Sequence, residues 1–141
     1  MSKKVLVIMD PIESINVKKD TTYQLMLSAQ NIGHELYYLI PGTLAIRSLE
    51  PVGIAAKIKI NKDKTPFYNL SDELDFILSD FDYILMRQDP PVDNNYIYKT
   101  YILDLIKNYE SKVINTGYSL RNHNEKLIIL NFPEHIPDTI V

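Results

Sequence analysis

The sequence contains no cysteine and no tryptophan, and only four glycines in 141 residues. Without cysteine there is no disulfide framework, no thiolate zinc site and no thiol nucleophile. The glycines, Gly33, Gly42, Gly53 and Gly117, lie far apart. They form neither the closely spaced set of a dinucleotide-binding turn nor a Walker loop, both of which need backbone close to phosphate. Long apolar runs are also missing. The longest, such as Val5 to Met9 and Leu36 to Ile40, reach about five residues, against roughly 20 for a membrane-spanning helix, so no membrane association is expected. Basic excess is absent too: fifteen Lys and Arg against eighteen Asp and Glu give −3, which excludes a uniformly basic nucleic-acid footprint. His34, His123 and His135 share no ligand spacing, so no metal site is implied. The N-terminus, Met1 to Lys4, is basic like a signal n-region, but the apolar stretch after it stops at Asp10 and Pro11 without a small-residue cleavage site. A cytoplasmic location is expected. The sequon at Asn69 to Ser71 then carries little weight, because glycosylation requires secretion.

What is present reads as one globular domain, with 45% hydrophobic and 23% charged residues. Val5 to Met9 is continuously apolar and β-branched, as in a strand covered on both faces. Asp10 and Pro11 stop it, and a polar loop runs to Asp20. Thr21 and Gln24 have capping-box spacing, and Leu25, Ala29 and Ile32 recur at helical intervals until Gly33. A second strand, Glu35 to Ile40, ends at the Pro41-Gly42 turn, and the extended pieces 43–47 and 53–60 are expected to form an antiparallel edge hairpin. Leu70 to Leu78 is read as a short helix capped by Ser71. Tyr83 to Met86 is again an apolar strand, stopped by Arg87 to Pro91. Tyr98, Tyr101, Ile102, Leu105, Ile106 and Tyr109 then form a helical stripe, read as core or interface, with Asp93 or Asn94 as cap. Lys112 to Asn115 is a short strand, one or two short helices follow between Tyr118 and Leu130, and Thr139 to Val141 reads as the start of a strand.

Alternating strands and helices predict an α/β, Rossmann-like domain. Its sheet is mostly parallel, with helices on both faces and an antiparallel hairpin at one edge. Ligands of such sheets collect beyond the carboxyl ends of the strands, where both proline-containing loops fall. In the first loop, Asp10, Glu13, Lys18, Lys19 and Asp20 either serve an anion site at the following helix or are simply a strand stop and solvated charges. In the second, Arg87 is one of three arginines among fifteen basic residues. Either its planar fork clamps a carboxylate, or it pairs with Asp89 or Asp93 to stiffen the loop.

Three blocks then carry a resemblance: Val7 to Ile12 with Ile15 to Asp20, Ile84 to Pro91 with Tyr96 to Leu103, and Ser119 to Leu127. In this order they resemble bacterial glutathione synthetase, and they span nearly the whole chain. Gln88 stands where the family's usual wording has lysine, and Asn122 and His123 stand for Asp-Cys. The resemblance implies an ATP-grasp ligase that joins γ-glutamylcysteine to glycine through an acyl phosphate, using ATP and magnesium. It implies that residues 1–127 are the N-terminal, pre-ATP-grasp substrate domain and that 128–141 connect to an ATP-grasp domain absent from this chain. That region would hold the ATP and magnesium ligands, so the present chain alone is expected to be inactive. Arg87, then Lys18, with Asp10 and Asp89, are the substrate-binding residues it points to, and a homo-oligomer is the expected assembly. Another ATP-grasp amino-acid or peptide ligase and a freestanding ligand-binding domain are the competing readings.

Overall fold

A computed structural model describes residues 1–106 and 112–140. Seven strands form one sheet: β1 (Lys4–Ile8), β2 (Glu35–Leu39), β3 (Ala45–Arg47), β4 (Glu50–Ile60), β5 (Tyr68–Ile77), β6 (Tyr83–Met86) and β7 (Lys112–Ile114). Their order is β3-β4-β2-β1-β6-β7, with β5 along the other edge of β4. β2, β1, β6 and β7 are mutually parallel, while β2, β3 and β5 all meet β4 antiparallel. The Rossmann-like expectation holds, and the predicted hairpin is β3 with β4. β4 itself is interior, because β5 covers its outer side.

The continuous apolarity of β1 has its reason here. Val5, Val7 and Met9 join one buried cluster with Tyr23 and Met26 of helix α1 (Thr21–Asn31). Leu6 and Ile8 join another with Tyr96 and Leu103 of helix α2 (Asn94–Leu103). The two helices therefore cover opposite faces. On the α2 side Tyr37, Phe76 and Phe81 meet with ring centroids 5.2 to 5.4 Å apart. Two short helices, α3 (Gly117–Asn122) and α4 (Glu125–Ile128), follow β7, and Asn124 caps α4 through the Lys126 amide at 2.9 Å. Among the described residues no helix is long and apolar enough to cross a membrane.

Two local expectations are overturned, and the stripe on α2, read as core or interface, is not core. Leu70 to Leu78 is not a helix: most of it is β5, paired with β4 from Val52 to Ile60. The Ser71 hydroxyl accepts the Lys57 amide at 2.9 Å where the ladder shifts between Ala56 and Ile58, so it fills an irregularity in the sheet instead of capping a helix. α1 is capped one residue early, by the Asp20 carboxylate accepting the Tyr23 amide at 3.0 Å, and it buries Thr22, Tyr23 and Met26 while Leu25 and Ile32 are exposed. In α2, capped by Asp93 as expected, the buried face is Tyr96, Thr100 and Leu103, whereas Tyr98 is 64% and Tyr101 53% exposed. Tyr109 and Val141 lie outside the described residues.

Candidate functional site

From β1 the chain moves to β2 on one side and later to β6 on the other, with α1 and α2 on opposite faces. The carboxyl ends of β1 and β6 therefore flank a topological switch point, the place where a parallel sheet leaves a crevice for ligands. Beyond those ends the Arg87 amide donates to the Ile8 carbonyl at 2.7 Å, after which the two chains part at residues followed by proline.

Asp10 and Asp89 meet across this opening, the carboxylate Oδ2 of the first accepting the backbone amide of the second at 2.9 Å. The Asp89 side chain is exposed and plays no part in that bond. Arg87 points to the α1 face, where its Nε donates to the hydroxyl of buried Thr22 at 3.2 Å. It pairs with neither Asp89 nor Asp93. Among the described residues its terminal guanidinium nitrogens have no protein partner, which leaves a planar fork held by one edge. Burial pushes the Tyr96 hydroxyl above its usual range, and the charge of Arg87 acts in the opposite sense. Tyr96 thus stays a neutral donor at physiological pH.

Gln88, the next residue, faces the other side. Its Oε1 accepts from Lys99 Nζ of α2 at 2.7 Å, and both line a small cleft with Ile8, Asp10 and Gly42. The first loop is braced from beneath: the Ile12 amide donates to the Tyr38 hydroxyl at 3.2 Å, and Tyr68 donates to the Glu13 carboxylate at 2.8 Å. Lys18 is exposed, and among the described residues its one hydrogen bond runs from its backbone amide to the Asn16 side-chain oxygen at 3.1 Å, so the structure does not join it to the other three expected residues. Asp20, as the α1 cap, already places a carboxylate at that helix end.

Three of the four expected residues, Asp10, Arg87 and Asp89, thus lie at this opening, and Thr22, Tyr96 and Lys99, which were not expected there, lie beside them. Thr22 gave no local signal, because its burial depends on which face α1 turns to the sheet. Nor did a lysine on a helix, since most are solvated. Among the described residues no three His, Asp or Glu side chains converge to hold a metal ion.

Residues 3–121 match the family model described as prokaryotic glutathione synthetase, N-terminal domain. The chain is similar to the glutathione synthetase of Xanthomonas axonopodis pv. citri, 39% identical over 141 residues, which are 100% of this chain and 45% of that protein. It is also similar to those of Yersinia pestis, 43% identical over 138 residues (98% and 43%), and Vibrio cholerae, 40% identical over 138 residues (98% and 43%). The chain spans less than half the length of these curated relatives.

Proposed function

Because the chain belongs to the prokaryotic glutathione synthetase N-terminal domain family, we propose that it forms the substrate-facing wall of an ATP-dependent ligase that joins γ-glutamylcysteine to glycine. In that reaction the γ-phosphoryl group of ATP passes to the dipeptide's cysteinyl carboxylate, which gives an acyl phosphate and ADP. The glycine amine then displaces phosphate to form the amide. The observation that supports a role for this chain is the fork of Arg87 at the switch-point crevice, steadied through Nε by Thr22 and without a partner for its terminal nitrogens among the described residues. A guanidinium held by one edge binds a carboxylate with its two terminal nitrogens at little further entropic cost. Asp10, fixed by the Asp89 amide, offers its second carboxylate oxygen to a substrate ammonium.

Neither ATP nor magnesium is assigned to residues of this chain, since no donor set for the metal and no glycine loop for the phosphates is found among the described residues. The residues after 127 carry exposed Leu130, Phe132 and Ile140. This fits a connection that packs against a further, ATP-grasp domain.

The test joins this chain to the C-terminal region of the Yersinia pestis relative. The chain alone is expected to make no glutathione from ATP, magnesium, γ-glutamylcysteine and glycine, and the fusion to make it. In the fusion, Arg87→Ala should lower kcat/KM for γ-glutamylcysteine at least tenfold, about 1.4 kcal/mol of transition-state stabilisation. An unchanged kcat/KM would make Arg87 a structural residue.

A further inference from the structure

Among the described residues, Lys99 is the one lysine drawn from a helix surface into the switch-point cleft. It is half-buried, on the buried side of α2 next to Thr100, and its ammonium lies 2.7 Å from the Gln88 amide oxygen. Gln88 is neutral, so the ammonium has no carboxylate partner within ion-pair distance among the described residues. A half-buried lysine tied to a loop by one neutral hydrogen bond gains little from the bond itself. An ammonium has three donors, and the single bond to Gln88 leaves two for a ligand.

The crevice then has a cation on each face of the sheet: Arg87 on the α1 side and Lys99 on the α2 side. Between them Asp10 lines the same cleft as Lys99. A ligand with two carboxylates and one ammonium presents the opposite pattern, which is the charge pattern of an acidic dipeptide zwitterion. We infer that Lys99, held by Gln88, binds a carboxylate of such a dipeptide and that Arg87 takes the other, so that Lys99 is a specificity-determining residue of this site. The inference rests on the proposed function, and γ-glutamylcysteine is the probe that links them.

The experiment is a heteronuclear NMR titration of the 141-residue chain with γ-glutamylcysteine, following backbone amides and the lysine side-chain resonances. The Lys99 and Gln88 signals should move together with that of Arg87. Lys99→Gln, which keeps a donor for Gln88 but no charge, should weaken binding at least tenfold. Lys99→Arg, which restores the charge, should stay within about threefold of the unsubstituted chain. The inference fails if Lys99→Gln binds as the unsubstituted chain does, or if Lys99→Arg falls as far as Lys99→Gln. It fails equally if the Arg87 signal moves while those of Lys99 and Gln88 do not. In these cases weakened binding by Arg87→Ala would leave the broader reading standing. Absence of any binding by the unsubstituted chain at millimolar dipeptide would overturn both.

Discussion

The carboxylate of Asp10 accepts the backbone amide of Asp89 at 2.9 Å, joining residues 79 positions apart. The bond ties the loop after β1 to the loop after β6, and it is charge-assisted but partly open to solvent, so its worth is about 1 kcal/mol. Asp10→Ala is expected to lower unfolding free energy by about that amount in urea denaturation, while Asp10→Asn, which keeps an acceptor of the same shape, loses about half or less. Equal losses for the two variants would mean that the bond contributes through charge alone.

Gly117 opens α3 against α2. A Cβ there would overlap the Thr100 carbonyl oxygen and come 2.6 Å from Asp104 Oδ1, and the first of these is backbone that has nowhere to retreat. Gly117→Ala should therefore destabilise the chain by about 2 kcal/mol or more despite alanine's better helix propensity. The same contact carries Arg121, which donates to the Thr100 hydroxyl at 3.0 Å, pairs with Asp104 and lies 4.2 Å over the Tyr101 ring. Thermal unfolding of the variant, with Gly53→Ala as a comparison whose new methyl meets side chains and no backbone, Leu39 Cδ1 at 2.5 Å and Leu78 Cδ1 at 3.7 Å, checks the prediction.

Asp82 accepts from the Lys3 ammonium at 2.6 Å and from the Lys4 amide at 2.8 Å, and these bonds, the lysine first, hold its carboxyl below the usual range. A carboxyl lowered in the folded chain contributes stability above its unfolded pKa, about 4, and loses it as pH falls through the folded value. The Tm gap between the unsubstituted chain and Asp82→Asn should thus be widest near pH 6 and close on acidification from pH 4 to pH 2. A gap independent of pH, measured by calorimetry, would contradict this.

The strands were legible in the sequence where burial leaves one answer. Val5 to Met9 and Tyr83 to Met86 are apolar without alternation because a helix lies on each side of the sheet. β5 was not legible, for a geometric reason. Leu70, Leu74 and Leu78 are four apart, a spacing that keeps one face of a helix and equally one face of a strand. Pairing with β4 decided between them, and no local signal reports it. In α2 and the turn after it two stripes compete at nearly the same spacing, Tyr96-Thr100-Leu103 and Tyr98-Tyr101-Leu105. The first faces the sheet because the Asp93 cap fixes where the helix begins.

Of the site, Asp10 and Arg87 could be read from the sequence because each stands where an apolar strand gives way to a proline-containing loop. Lys99 and Thr22 could not, since their part depends on which face each helix covers. Lys18 was expected in the site from its place before a helix, but the helix end it precedes is already capped by Asp20.

One consequence of the doubly covered β1 remains. A strand with a polar face is locked by that face, because sliding by one residue would bury charge. β1 has no such lock: Leu6 and Val7 are equally apolar, and each core would accept the other's side chains in kind. What forbids the slip against β6 is a carboxylate at either end of the pair, Asp82 holding the Lys4 amide at the start and Asp10 holding the Asp89 amide at the finish. The two acids work as alignment pins for a strand that hydrophobicity alone leaves free to slide, and the crevice inherits its geometry from them.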